Sequence, residues 1–307
     1  MIGSSTPVAE GPLSPAHAGQ VAELAAAAQR EDGVAPLSEH VLLQVRHGGS
    51  AGSRDLLLLA EDRVAGYAHV DAVDSGAQGG DVTGELVVHP AQRRRGYGKT
   101  LLSALMAGTA GHGVRLWAHG DLAGAAALAR SAGFTRIRAL LQMRMPLTGP
   151  TMENPALPPG ITLRTFRPGQ DEQAWLAVNS RAFADHPEQG SWTRKDLELR
   201  EAEPWFEPGG FFLAERAGEL AGFHWTKVHP AQADGSPMGE VYVVGVDPAH
   251  QGGGLGRALT IAGLAHLQGL GLAQVLLYVD ESNTPAVRMY TALGFRLWST
   301  DVMYRRP

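Results

Sequence analysis

The feature that most constrains this chain is an internal repeat. A strand ending in proline, a glycine-rich turn and a helix start occur twice, once around Glu85 to Lys99 and once around Glu240 to Arg257. Pro248 stands 158 places after Pro90, and Gly254 stands 158 places after Gly96. Gly294-Phe295 follows Gly133-Phe134 at the slightly longer spacing of 161. A repeat of this length means two copies of one domain, not a solenoid, and 307 residues is the length of about two domains. Leu147 to Gly160 carries four prolines and two glycines, which is linker composition. The expected organisation is a first domain over 1–147, a linker over 148–160 and a second domain over 161–307.

In each copy strands alternate with helices, so the class is mixed α/β. In the first copy, helices are expected over His17–Arg30, Leu37–Arg46, Lys99–Ala110 and Ala123–Ser131. Strands are expected over Asp55–Ala60, Val64–Val70, Glu85–Pro90, Val114–Ala118 and Ile137–Met145. Helices of the second copy fall at Asp171–Ala184, Thr193–Ala202, Leu255–Gln268 and Thr284–Leu293. Its strands fall at Ile161–Phe166, Phe211–Glu215, Leu220–Val228, Val241–Val246 and Gln274–Val279, with closing strands at Phe295–Trp298 and Val302–Arg305. Met1 to Gln20 has neither a basic nor an apolar leader segment and reads as a frayed start.

Composition excludes several classes of function. The net charge of −5 does not suit a general nucleic-acid surface. The chain has no cysteine, hence no thiolate nucleophile and no cysteine metal site. Ala258 to Val279 lacks Asp, Glu, Lys and Arg over a membrane-spanning length. Its polar His266, Gln268 and Gln274 and the break at Gly269-Leu270-Gly271 read better as helix, turn and buried strand. A cytoplasmic monomer is expected.

Gln251-Gly252-Gly253-Gly254-Leu255-Gly256 lies between a strand and a helix. Glycines let backbone approach a ligand, and the helix N-terminus faces it with free N–H groups, which makes an anion site. A Walker loop needs Lys and Ser/Thr next, where Arg257-Ala258 stands. A dinucleotide fingerprint needs an acid about 20 residues on, where Leu276-Leu277-Tyr278 stands. The pattern that fits is Gln/Arg-x-x-Gly-x-Gly/Ala, followed downstream by Asn283-x-x-Ala286-x-x-x-Tyr290-x-x-x-Gly294-Phe295. On these residues Glu240 to Phe295 resembles the acetyl-CoA core of the GCN5-related N-acetyltransferases (GNAT). The resemblance implies two tandem domains, each a mixed, mostly antiparallel central sheet flanked by helices, with acetyl-CoA as co-substrate.

Acetyl transfer to an amine needs a proton acceptor, an oxyanion donor and a proton for the leaving thiolate. Glu240, at the start of the central strand, suits the first. Backbone N–H groups near Val244 to Val246 suit the second. Tyr290, about two helical turns after Asn283, suits the third. The bland readings are an edge carboxylate and a core tyrosine. At the 158 spacing Glu240 corresponds to Val82, and at 161 Tyr290 corresponds to Ala129. The first copy thus keeps a glycine loop, with Arg93-Arg94-Arg95 adding charge, but not the acid–base pair; it is expected to bind a nucleotide-like anion without turnover.

Two further blocks, Ala182 to Trp192 and Gly222 to Pro230, together with Gly239-Glu240-Val241-Tyr242-Val243, resemble the mycothiol synthases. These are tandem members of the same family whose C-terminal domain is active. The resemblance covers most of the chain and implies transfer of acetyl to the cysteinyl amine of a cysteinyl-glucosaminyl-inositol. It implies substrate contacts at Glu39, Glu188, Lys227, Glu240 and Tyr278, with Glu39 facing a cleft between the domains. It implies acetyl-CoA contacts at Val244, Gly245 and Val246, at Gln251, Gly252, Gly253, Gly254, Leu255, Gly256 and Arg257, and at Asn283, Thr284, Pro285, Ala286, Val287 and Arg288. In the first domain the contacts are Leu86, Val87, Val88, Arg94, Arg95, Gly96, Tyr97, Gly98 and Lys99. Gly252-Gly253 departs from the bulkier residues of the family loop. No metal is expected: His224 and His229 are five apart on a strand, therefore on opposite faces, and a structural role is expected for both. The competing functions are acetylation of another amine, such as an aminoglycoside or a protein N-terminus, and a CoA-binding sensor without turnover.

Overall fold

A computed structural model describes residues 8–49, 51–72, 80–109, 111–152, 155–230 and 236–307. These divide into two compact units. Unit 1 holds residues up to Leu141 together with Asp280–Ser282 and Ser299–Pro307; unit 2 holds Gln142–Val279 and Asn283–Trp298.

Unit 1 opens with β1 (Val8–Glu10), α1 (Pro15–Asp32), α2 (Glu39–His47), β2 (Arg54–Ala60) and β3 (Arg63–Val70). It continues with β4 (Val82–Val88), α3 (Tyr97–Ala107), β5 (Val114–Ala118), α4 (Ala123–Ser131) and the long β6 (Thr135–Pro146), which runs on into unit 2. The start of the chain is not wholly frayed: β1 pairs antiparallel with Leu56–Leu58 and covers the edge of β2. The β2–β3 hairpin turns on Glu61 and Asp62 with φ 50° and 59°, the positive pair that matches strand twist.

Unit 2 contains β7 (Ile161–Thr165), α5 (Glu172–Ala182), the single turn α6 (Pro187–Gly190), α7 (Arg194–Glu201), β8 (Phe211–Arg216) and β9 (Glu219–His229). Then come β10 (Met238–Val246), α8 (Leu255–Gly269), β11 (Gln274–Asp280), α9 (Thr284–Leu293) and β12 (Arg296–Arg306). The α7 start is a complete capping box between Thr193 and Asp196. Asp171 heads α5 without a side-chain cap, because its carboxylate is taken by Arg164 and the Arg167 N–H.

Within each unit the strand pairing is mixed and mostly antiparallel. In unit 1 the order is β1-β2-β3-β4-β5-β12; in unit 2 it is β11-β10-β9-β8-β7. The two closing strands expected at the end of the second domain are one strand, and its last half does not stay with unit 2. Val302 to Arg306 pairs antiparallel with β5 of unit 1, and Val302, fully buried, joins that unit's core. Each unit has one parallel pair, β4 with β5 and β10 with β11.

The faces of the unit 2 sheet differ. One is covered by aromatic side chains: Trp175 and Trp225 are fully buried, with Phe211 stacked on Trp225 at a centroid distance of 4.5 Å. On the other, Leu255 and Leu259 of α8 pack on Ala214 and Ala221. Buried His224 donates from Nδ1 to the Leu259 carbonyl at 2.7 Å, and burial lowers its pKa to about 4, so it stays neutral. Gly263 allows this close approach of α8 to β9, because a Cβ there would meet the His224 ring. Gly263→Ala is expected to lower stability by about 1–3 kcal/mol, as overpacking of a close-packed contact does; a urea midpoint equal to that of the wild type would contradict this placement of α8.

Candidate active site

The site of unit 2 begins where β10 leaves β11. The two strands pair only from Gly239–Val275 to Val241–Leu277. Beyond Val241, the β11-facing edge of β10 pairs with no strand among the described residues, so its outward backbone groups over 242–246 are open to a ligand. A bulge coincides with this departure. Val241 faces Thr226 and Val243 faces Trp225, which leaves Tyr242 as an extra residue on β10. Val244, Gly245 and Val246 continue this edge toward the glycine loop.

That loop is shaped for backbone donation. Gly252 and Gly254 have φ of 84° and 80°, and no atom lies where a Cβ would stand at Gly252, Gly253 or Gly254. Gly254 is the N-cap of α8 and offers no side-chain cap. The first-turn N–H groups of an uncapped helix point outward, beside the positive end of its dipole. Leu255 anchors the turn in the core, and Gly256 sits against Val246. These residues fit a pyrophosphate; Gln251 instead donates to the Val246 carbonyl at 3.2 Å. Asn283 caps α9 by accepting from the Ala286 N–H at 3.2 Å, so Thr284, Pro285, Ala286, Val287 and Arg288 form the first helical turn and a half.

Glu240 is buried at 6% exposure, directly opposite Lys227 on β9. Its Oε2 lies 2.7 Å from His229 Nε2. Burial pushes the carboxyl pKa up, but the His229 hydrogen bond, the His229 charge and the Lys227 charge outweigh it, and the group lies below its ordinary value. Lys227 is no surface charge: its ammonium sits 4.3 Å from the Trp205 ring centre and 5.0 Å from that of Tyr242. Tyr290 is the buried residue of α9, edge-on to Phe295 at 5.7 Å. Burial pushes its phenol up to about 12.

His229, expected to be structural, makes its contact with Glu240. The hairpin register sets Met238 opposite His229 and Glu240 opposite Lys227, so His229 lies diagonal to Glu240 on the same face. The Ala182–Trp192 block supplies Trp192, whose ring lies under the Arg200 guanidinium at 3.8 Å; Arg200 also donates to the Tyr242 hydroxyl at 2.8 Å. The Glu188 side chain falls outside the described residues. Tyr278 is half exposed on β11, two places beyond Leu276, the partner of Glu240. Its hydroxyl accepts from Gln142 at 2.6 Å, and Arg144 in turn donates to Gln142 and lies 4.0 Å over exposed Trp298. No local pattern announces this polar–aromatic group, since β6 and β11 are far apart along the chain.

Unit 1 repeats the loop but not the acid–base pair. Val82 and Ala129 are both buried in an apolar core. β4 pairs with β3 without a bulge. Its pairing with β5 ends at Glu85, leaving Leu86, Val87 and Val88 beyond it. Glu85 is a buried carboxylate held by the Ser38 N–H at 2.7 Å and by His119 at 3.4 Å, which also binds Asp301. Gly96 (φ 86°) is an uncapped N-cap for α3, so Tyr97, Gly98 and Lys99 present first-turn N–H groups. The arginine run does not act as one charge cluster: Arg93 makes two bonds to Asp32, at 2.7 and 2.6 Å, and one to the Val88 carbonyl. Arg94 and Arg95 remain exposed. Glu39 is the first residue of α2, whose cap Ser38 touches Glu85.

Ionised Glu240 stabilises the fold, because its folded pKa is depressed. That contribution is present above about pH 4.3, the ordinary glutamate value, and is lost as pH falls through the lowered value. His229→Ala removes the largest lowering contact. The loss of stability between pH 5 and pH 3 in urea unfolding is expected to shrink in the variant; an unchanged pH dependence would show that His229 does not hold the carboxylate.

Comparison with known proteins agrees with this geometry. The family model described as Acetyltransferase (GNAT) family matches residues 175–295, and that described as Acetyltransferase (GNAT) domain matches 53–136. The chain is 62% identical to a mycothiol acetyltransferase of Thermobispora bispora over 93% of this chain and 95% of that one. It is 59% identical to one of Thermomonospora curvata, over 94% and 93%. Among solved structures, a tandem GNAT protein from the clavulanic acid biosynthesis pathway superposes with a TM-score of 0.74 at 22% identity, covering 98% of both chains, which bears on the fold alone. A GCN5-related N-acetyltransferase from Sphaerobacter thermophilus gives 0.66 at 26% identity, covering 97% of this chain and 95% of that one. Among the described residues no helix is long and apolar enough to cross a membrane. With relatives of this name 59–62% identical along more than nine-tenths of the chain, and a GNAT model matching each half, the chain belongs to the mycothiol acetyltransferase family of tandem GNAT proteins.

Proposed function

We propose that this protein transfers acetyl from acetyl-CoA to the cysteinyl amine of a cysteinyl-glucosaminyl-inositol, giving mycothiol and CoA. The observation that carries the reading is the convergence, within unit 2, of an ionised buried carboxylate and an unpaired strand edge that leads into an uncapped helix N-terminus. The N–H groups of Gln251 to Arg257 hold the pyrophosphate, and the freed edge of β10 at Val244 to Val246 directs the thioester carbonyl.

The amine nitrogen attacks the carbonyl carbon, and the oxyanion is met by N–H groups of β10. Glu240 holds the substrate amine and takes its proton, directly or through water, with His229 fixing the carboxylate. The carbon–sulfur bond then breaks and sulfur keeps the electron pair. A thiol titrates near about 8.5, well below the Tyr290 phenol at about 12. Tyr290 donates to the departing sulfur as the general acid, and the raised phenol pKa makes the hydrogen bond to the thiolate the larger part of its contribution. Lys227 and Tyr278 line the sheet on either side of Glu240 and contact the sugar and inositol hydroxyls, while unit 1 holds CoA without turning it over.

The identity is tested by following CoA release with a panel of amines. The cysteinyl pseudodisaccharide should be preferred over aminoglycosides and peptide N-termini; equal or better use of another amine would overturn the assignment. Glu240→Gln is expected to lower kcat/KM by roughly 10²-fold or more with little change in acetyl-CoA affinity, and near-normal turnover would remove Glu240 from the mechanism. Tyr290→Phe, which deletes one hydrogen bond, is expected to slow turnover roughly tenfold with the fold intact; a wild-type rate would make Tyr290 a packing residue.

A further inference from the structure

Away from the glycine loop, unit 1 brings together His40, His69 and Asp71, whose donor atoms all lie within 4.8 Å of one another. They come from two elements. His40 is in the first turn of α2, while His69 and Asp71 stand two places apart at the end of β3, on one face of the extended chain. His40 Nε2 is 3.0 Å from Asp71 Oδ1, and His69 Nε2 is 3.3 Å from the same oxygen. A tetrahedral zinc ion with bonds of about 2.0–2.1 Å sets neighbouring donors about 3.3 Å apart.

The second observation concerns His69, which is fully buried. Its Nδ1 lies 2.9 Å from Asp55 Oδ1, and that carboxylate is itself held by the Tyr67 hydroxyl at 2.7 Å. A carboxylate on Nδ1 places the proton there and turns the lone pair of Nε2 outward. Nε2 is buried and makes no hydrogen bond, although it faces the Asp71 carboxylate. The approach is close enough for an ion pair but wrongly angled for N–H donation. Against burial, the two carboxylates also favour a protonated His69, but with Nε2 off the hydrogen-bonding angle the cluster offers His40, His69 and Asp71 donor atoms at the spacing a metal ion takes.

We infer that His40, His69 and Asp71 form a divalent transition-metal site, with Asp55 orienting His69. Two imidazoles and one carboxylate suit zinc, and three protein donors leave a fourth position for water. Asp71 and His40 are both partly exposed, so the ion can enter from solvent. Bound there, it clips the start of α2 to the end of β3. The sequence reading found no metal site because these residues are separated along the chain and follow no ligand motif.

The test is calorimetric titration of the chelator-stripped full chain with Zn²⁺ alone, together with Co²⁺ as an absorbing probe. One saturable equivalent per chain is expected, with the absorption of four-coordinate Co²⁺ and a Zn²⁺-dependent rise in Tm. His40→Ala, on the exposed side of the site, and Asp71→Asn should each weaken Zn²⁺ binding at least tenfold and abolish the rise in Tm. Asp55→Asn should weaken it about 10–100-fold, as loss of an orienting carboxylate does. Circular dichroism of each variant separates lost binding from lost folding. Absence of a saturable equivalent in the wild type, or an equivalent unchanged in folded His40→Ala and Asp71→Asn, would overturn the site.

Discussion

The site depends on a short parallel pairing. β10 and β11 share three residue pairs and then part. A strand that loses its partner exposes N–H and C=O groups that must be satisfied by something else. Here the exposed edge runs from the bulge at Tyr242 toward the glycine loop, so one interruption of the ladder leads from the thioester position to the pyrophosphate position of the proposed reaction. Gly254 then ends the loop at φ 80°, in a conformation that other residues adopt at a cost, and leaves the α8 N-terminus uncapped. Fold and binding site are the same backbone.

Charge placement on this frame is set by cross-strand pairs. An isolated buried carboxylate would take up a proton. Glu240 avoids this because β9 supplies His229 and Lys227 on the same face, and Lys227 is itself held against Trp205 and Tyr242. The aromatic layer is thus part of the electrostatics as well as the core: it excludes water around the ammonium and carboxylate, which strengthens their interaction. Unit 1 shows the same fold without these elements. β4 has no bulge, Val82 and Ala129 are core residues, and the buried Glu85 is committed to Ser38 and His119.

The features legible in the sequence are those written locally. Glycine at positive φ, proline after a strand and an Asn cap ahead of α9 each act within a few residues, so the loops, most strands and helices, and the candidate residues of unit 2 could be read in order. What could not be read depends on register or on distant pairing. The His229–Glu240 contact follows from the β9–β10 alignment, and the bulge at Tyr242 shifts that alignment by one. The bidentate Arg93–Asp32 bond joins residues with 61 positions between their numbers and removes one charge from an apparent basic cluster. The last half of β12 pairs with β5, so residues at the chain's end complete a core that begins near its start. No local pattern could announce that exchange.

In the proposed division of labour, acetyl transfer belongs to unit 2 and unit 1 retains only the anion-binding part of the same fold. The most direct measurement is paired calorimetry and steady-state CoA release on the full chain carrying Arg94→Ala and Arg95→Ala. This account expects any second equivalent of bound CoA to disappear while much of the catalytic rate remains. Loss of all turnover, with the chain folded and unit 2 still binding acetyl-CoA, would contradict it.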